Sequence, residues 1–348
     1  MRRRDFVLPS LVLAATARGG RGASNQTITV VYQALGGIGW PIYIAKEGGS
    51  YAKYGLDVHL ELVPYPGAIT MLLHDQAAIA ISGLQQVLPT QINDHSLAAT
   101  ACWMNRSTFA LIGRSEIPSV GGLRHKRIAV SQIGDSTYGY LLQVLAKFGL
   151  SANDVDMVPV GADPAGRAAA LTSGRAEATL LSAPASFRME DAGYRNLANF
   201  ADHDDIFTSA ACWVRKEELA SNGRMVECLI RAHTEAVHRF YTDKDFALQA
   251  YSVYDKQTAR ADVGRSWELF NKSNIFERVP YVLKGAVAAT AAQSGVAQSS
   301  VRQADLADFR SAVDNSIVDR LSKQGFFLKV FGSGIQPEVE RKASQAFR

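Results

Sequence analysis

The chain is poor in the residues that build redox, metal and nucleophilic centres. Only three cysteines, Cys102, Cys212 and Cys228, occur in 348 residues, and none forms a C-x-x-C pair. Neither a redox dithiol nor a zinc knuckle is indicated. An odd count leaves at least one thiol unpaired in an exported protein. A bridge between Cys102 and Cys212 is conceivable, and buried free thiols are the alternative. Past the N-terminus there is no run of about 20 apolar residues, so nothing there spans a membrane. Walker A and G-x-G-x-x-G motifs are also missing. His233 and His238 are five apart, so they do not share a helix face as the histidines of H-E-x-x-H do. Gly134-Asp135-Ser136-Thr137-Tyr138-Gly139 reads G-x-S-x-x-G, one residue too long for a nucleophile elbow. Asp202-His203-Asp204-Asp205 reads as a solvated loop in preference to a metal site. The sequence therefore indicates no catalytic set, no metal and no cofactor.

The excess of one sign of charge is small as well. The formal net charge is +4, and part of it sits at the N-terminus. Arg2-Arg3-Arg4 is a basic region, Phe6 to Ala17 is a short apolar core, and Ala15-Thr16-Ala17 has the A-x-A form of a cleavage site. Residues 1–17 read as an export signal cleaved near Ala17. Arg3-Arg4-Asp5-Phe6-Val7 has the twin-arginine form, and the general secretory route is the alternative. No cysteine follows the apolar core to carry a lipid. Cleavage removes three arginines and one aspartate and leaves a net charge of about +2, which gives no electrostatic case for nucleic acid.

What is present is an ordered alternation of strands and helices. Ile28 to Leu35 is apolar and β-branched, Gly36-Gly37-Ile38-Gly39 follows, and Trp40 opens a helix with Pro41 in its first turn. Gly55 suits a left-handed helix end. Leu56, Val58, Leu60 and Leu62 then alternate with Asp57, His59 and Glu61, which predicts a strand. A short helix from Ala68 to Asp75 and a buried strand from Ala77 to Ile81 follow. A helix from Leu84 to Ile92 and strands at Leu97–Trp103 and Thr108–Ile112 come next. The same order of strand, loop, helix, strand, helix, strand returns from Arg127 to Leu181. Two similar α/β lobes with a cleft between them follow, each lobe a mostly parallel sheet flanked by helices. From Arg224 onward the pattern is helical, with stripes at Val226, Leu229, Ile230 and Val237 and at Leu306, Phe309, Val313, Ile317 and Leu321.

The stretch P-x-Y-x-A-K-E-x-G-x-Y-A-K-Y-G-L-D-V, residues 41–58, resembles the opening of periplasmic solute-binding proteins of ABC importers. The group it is most similar to is that for sulfonates, taurine, nitrate and thiamine-precursor pyrimidines. Leu123-x-x-Lys126-Arg127-Ile128-Ala129-Val130 and Ala170-Leu171-x-x-Gly174-Arg175-Ala176-Glu177-Ala178 carry the same resemblance into the second half. It implies a two-lobed type II periplasmic-binding fold. Residues 27–114 and 215–348 would make lobe 1, and residues 115–214 lobe 2. The hinge would lie near 114–119 and 207–215. It further implies a periplasmic monomer that captures a small molecule by hinge closure and delivers it to an inner-membrane ABC permease. The chain departs from the group at His74-Asp75-Gln76-Ala77-Ala78, where a Gly and an Asp are usual. It also lacks the C-C-C-F-C iron-site motif of the fungal pyrimidine synthase that shares the fold.

In such a fold both glycine loops face the cleft, and each precedes a helix N-terminus whose free N–H groups attract an anion. Gly37 and Gly39 admit a ligand to the backbone, and Gly134, Ser136 and Thr137 form the matching loop, where the hydroxyls either donate to a ligand or cap the helix. Ser82-Gly83 and Ser182-Ala183-Pro184 end the third strand of each repeat, at the cleft edge. Trp40 and Tyr138 occupy matching positions and either stack on a ligand or fill the core. Arg106 follows a strand end and either pairs with an anionic head group or stays solvated. An anion such as a sulfonate, taurine or nitrate suits the helix-terminus loops, and a pyrimidine or other aromatic suits the Trp and Tyr content. An exported enzyme or a ligand sensor on the same fold are the alternative functions.

Overall fold

The computed structural model describes residues 25–348 except 65, 89–90, 134–135, 162, 201–207, 298–306 and 308. The expected signal segment, Gly134, Leu306 and the run Asp202-His203-Asp204-Asp205 lie outside the described residues.

Ile28, Val30 and Val31 are buried in the first strand, β1 (Gln26–Tyr32). A short helical connection, α1 (Trp40–Glu47) and α2 (Ser50–Lys53), leads to β2 (Leu56–Leu62), and α3 (Gly67–Leu73) leads to β3 (Ile79–Ser82). Both β2 and β3 pair with β1 in parallel, so Val30 lies between Leu60 and Ile79. That is the expected βαβ unit, with Gly55 in the left-handed region (φ 79°) before β2. Of the helix expected over 84–92, the described residues form α4 (Leu84–Val87), and α5 (Gln91–Asp94) follows. The chain then forms β4 (Leu97–Met104), whose eight residues are all buried.

The second half repeats the pattern. It contains β5 (Phe109–Gly113), β6 (Arg127–Val130), α6 (Ser136–Lys147), β7 (Asp156–Pro159), α7 (Pro164–Thr172), β8 (Ala178–Ser182), α8 (Ala185–Asp191) and β9 (Arg195–Asn199). The last strand is β10 (Ala210–Arg215). The two sheets have the orders β2-β1-β3-β10-β4 and β7-β6-β8-β5-β9. In each, one strand runs against its two neighbours: β10 in the first and β5 in the second. Each is the strand that arrives just after the chain has come over from the other sheet. The first crossing is therefore at 105–108 and the second within 200–209. Residues 114–119 follow β5 and do not link the sheets. β9, with its polar sequence RNLAN, was not legible as a strand, because tertiary pairing and not periodicity specifies it.

The remainder is helical: α9 (Lys216–Thr242), α10 (Lys244–Tyr254), α11 (Arg260–Lys272), α12 (Lys284–Ala297), α13 (Ser316–Lys323), α14 (Phe326–Phe331) and α15 (Gln336–Gln345). Val226, Leu229, Ile230 and Val237 are buried on α9 and join the core of the first sheet. The second expected stripe is not one helix. Phe309 precedes a 3-10 turn, Val313 bridges to Ala99 of β4, and only Ile317 and Leu321 lie on α13. A separate core that includes Val130, Tyr140 and Leu180 sits under the second sheet. No helix among the described residues is long and apolar enough to cross a membrane.

Candidate functional site

The carboxyl ends of β1, β3, β6 and β8 face one another across a cavity of about 230 Å³. Ligands of open α/β sheets bind at such edges. Each strand end contributes a short polar segment: Gln33 after β1, Ser182 at the end of β8, and Ser131 and Gln132 after β6. Beyond β3, Gly83 and Gln86 line the cavity. The two crossings supply Ser107, Thr108, Thr208 and Ser209, and Thr137 comes from the first turn of α6. Apolar walls come from Leu35, Ile38, Phe109 and Phe270. Among the described lining residues none carries an ionisable side chain.

The glycine loop owes its shape to two residues. Gly36 has φ 123°, a region that L side chains avoid. A Cβ on Gly37 would come within 1.9 Å of the Phe270 ring, so the loop lies flat against α11. A 3-10 turn over Gly37–Gly39 separates the loop from α1. Gly39 is buried against Tyr43 and does not line the cavity. Trp40 is fully buried, and its Nε1 donates to the Ala247 carbonyl at 2.9 Å. Its ring packs against Phe240, Tyr251 and Phe270 with centroids 4.8–5.3 Å apart. Trp40 therefore backs the cavity wall through Phe270 and is not among the lining residues.

The other expected positions divide in the same way. Gly37, Gly83, Thr137 and Ser182 line the cavity. Ser82 is fully buried beneath it. Tyr138 is part of the second core, because position 138 faces inward on α6. Arg106 is half-buried, donates to the Ser273 carbonyl at 3.4 Å and does not line the cavity. Pro184 begins the turn before α8, away from the lining set. The Ser136 side chain lies outside what is described. That Phe270 and the crossing residues Ser107, Thr108, Thr208 and Ser209 line the cavity was not anticipated. Phe270 comes from far along the chain, and no local pattern marks it.

Hydrogen bonds fix the polar side of the site. Gln33 Nε2 donates to Ser82 Oγ, and Ser82 Oγ donates to Gln86 Oε1 at 3.2 Å. The Gly83 N–H donates to the same Oε1 at 3.3 Å. At the crossings, Thr208 Oγ1 donates to Asn105 Oδ1 at 3.1 Å, and Asn105 Nδ2 donates to Glu277 Oε1 at 3.2 Å. Glu277 in turn pairs with the nearly buried Lys342 of α15. The two crossings are thus tied to each other and to the C-terminal helices. On the outside, Arg265 of α11 holds Asp191 of α8 through bonds of 2.6 and 3.3 Å, and Arg188 of α8 donates to Asp262 of α11 at 3.1 Å.

Cys102 and Cys212 are buried free thiols, and burial pushes each thiol up to about 12. No cysteine lines the cavity. Among the described residues no cluster of His, Cys, Asp or Glu is built to hold a metal ion.

A sequence profile of the family described as NMT1/THI5 like matches residues 40–246, more than half of the chain. The chain belongs to the NMT1/THI5-like family. Solved structures share its periplasmic-binding-protein fold. One is the putative sulfonate ABC transporter periplasmic sulfonate-binding protein SsuA from Methylobacillus flagellatus KT, 17% identical, with a TM-score of 0.69, 89% of this chain and 96% of that one covered. Another is the alkanesulfonate-binding protein SsuA from Xanthomonas axonopodis pv. citri bound to MOPS, 18% identical, with a TM-score of 0.63 and coverage of 86% and 98%. A third is a mutant of DSZB in complex with biphenyl-2-sulfinic acid, 15% identical, with a TM-score of 0.66 and coverage of 86% and 99%. DSZB is a desulfurization enzyme. No curated protein sequence matches the chain. The fold of this NMT1/THI5-like chain thus serves both binding proteins and an enzyme among these neighbours.

Proposed function

We propose that this NMT1/THI5-like protein is an extracytoplasmic substrate-binding protein of an ABC importer. It captures a small solute between its two sheets and closes over it about the crossings. The observation that carries this reading is a neutral polar cavity at the carboxyl ends of β1, β3, β6 and β8, lined as well by both crossings. A ligand touching both halves and both crossings favours the closed form by its differential affinity for it. Export through the N-terminal signal, delivery to a permease and a monomeric state belong to the same proposal. So does the division into two lobes, one built on each sheet.

A non-catalytic role is supported by the chemistry of the lining. Its hydroxyls have no imidazole, carboxylate or amine beside them among the described lining residues, and the Cys102 and Cys212 thiols are buried and protonated. The test is a thermal-shift screen with alkanesulfonates, taurine, nitrate, carboxamides and pyrimidines. A true ligand at 100 times its Kd raises stability by about 2.7 kcal/mol. Recovery of the bound compound unchanged is the expected result, and its turnover would move the protein to the enzyme reading.

A further inference from the structure

The amides of Gln33 and Gln86 cannot be turned over without losing hydrogen bonds, and this gives the cavity a chemical polarity. A backbone N–H only donates, so the Gln86 atom that meets the Gly83 N–H at 3.3 Å must be its oxygen. Ser82 Oγ lies 3.2 Å from that same oxygen and spends its one proton there. Its lone pairs remain, so the Gln33 atom that meets it must be the amide nitrogen. Ser82 is fully buried beneath both side chains. What is left over is one acceptor, Gln33 Oε1, and the amide N–H2 of Gln86, neither of which takes another hydrogen bond among the described residues. Both residues line the cavity, and both converge on one oxygen.

We propose that Gln33 and Gln86, oriented by Ser82, form a fixed acceptor–donor pair that reads an uncharged ligand bearing a donor and an acceptor side by side. The matching chemical class is a carboxamide, a urea or a lactam edge. This rests on the solute-binding reading above and narrows it. A sulfonate or carboxylate presents only acceptor atoms, so it satisfies Gln86 Nε2 and leaves Gln33 Oε1 facing another oxygen. A site built to hydrogen-bond an N–H discriminates strongly against an analogue that lacks it, because its own polar group is left unpaired. The apolar walls at Leu35, Ile38 and Phe270 suit a flat or aliphatic body attached to that edge.

The experiment is isothermal titration of the purified protein with two matched series. The first is benzamide, nicotinamide and uracil, and the second is benzoate, nicotinate and benzenesulfonate. The expected result is binding of the neutral series, with its charged counterparts about tenfold weaker or more. Gln33→Leu, Gln86→Leu and Ser82→Ala should each reduce that preference about tenfold, with melting temperatures confirming that each variant folds. Charged ligands binding as tightly as neutral ones, with the glutamine variants indifferent, would overturn the pair and leave the receptor reading in place. No heat from either series, together with no thermal shift from any sulfonate, would overturn both.

Discussion

Gly37 has no room for a side chain. An added methyl meets the Phe270 ring, which is itself packed against Trp40. Gly37→Ala should cost about 1–3 kcal/mol by overpacking, read from a urea melt, and Phe270→Leu in the same chain should restore part of the loss. His233 is a residue-scale case of a different kind. It is fully buried against Trp103, with its Nε2 sharing a hydrogen bond with the Tyr51 hydroxyl. Burial pushes its pKa down from 6.5 to about 3. The folded state therefore binds fewer protons than the unfolded state between those values. Its contribution to stability is complete above pH 6.5 and falls with decreasing pH, by up to about 1.4 kcal/mol per unit. His233→Gln should flatten the pH dependence of the melt between 6.5 and about 3, and an unchanged slope would rule this account out. Asp75 shows how one departure from the family pattern is accommodated. It takes the positive φ of 61° that a glycine would adopt easily, and Arg215 pairs with it.

At the scale of elements, α9 is the post on which the first sheet and its helices are hung. It runs for 27 residues, with one irregular residue at Asn222, and its buried stripe packs on α1, α2 and β4. Leu229 is fully buried, so Leu229→Ala should cost about 2–5 kcal/mol in a denaturant melt, with no change in which ligand is preferred. The other element, α11, shapes the cavity. Its Phe270 forms a cavity wall, and its Asp262 and Arg265 reach α8. It therefore touches the site and the opposite half of the molecule at once.

For the whole molecule, the reciprocal Arg188–Asp262 and Arg265–Asp191 pairs join helices that belong to different sheets. They are partly exposed, so each is weak and screened by salt. Under the proposed hinge closure, their joint effect belongs to the closed form. The double variant Arg188→Ala/Arg265→Ala should release ligand about two- to fivefold faster at low salt, measured by stopped-flow tryptophan fluorescence. That difference should shrink at high salt. Equal release rates at every ionic strength would show that these pairs do not hold the halves together. Small-angle scattering should also report a smaller radius of gyration when ligand is present.

The sequence alone determined the local elements and their order. Alternation at period two marked β2, apolar runs marked β3 and β8, and glycines at 55, 149 and 174 marked helix ends, all three with positive φ. The doubled strand-helix pattern, together with the resemblance over residues 41–58, was enough for two α/β halves with a cleft. These features are legible because each depends on neighbours within one turn or one strand. Only the tertiary structure decided which side chains reach the cavity. Trp40 and Tyr138 have the right loop positions but face inward, and Phe270 reaches the site from a helix far downstream of Gly37. The exchange of β5 and β10 between the sheets was equally invisible, since antiparallel pairing with a distant strand leaves no period in the sequence. The orientation of Gln33 and Gln86 was decided at the same level, because it follows from one backbone N–H and one buried hydroxyl that only the fold brings together.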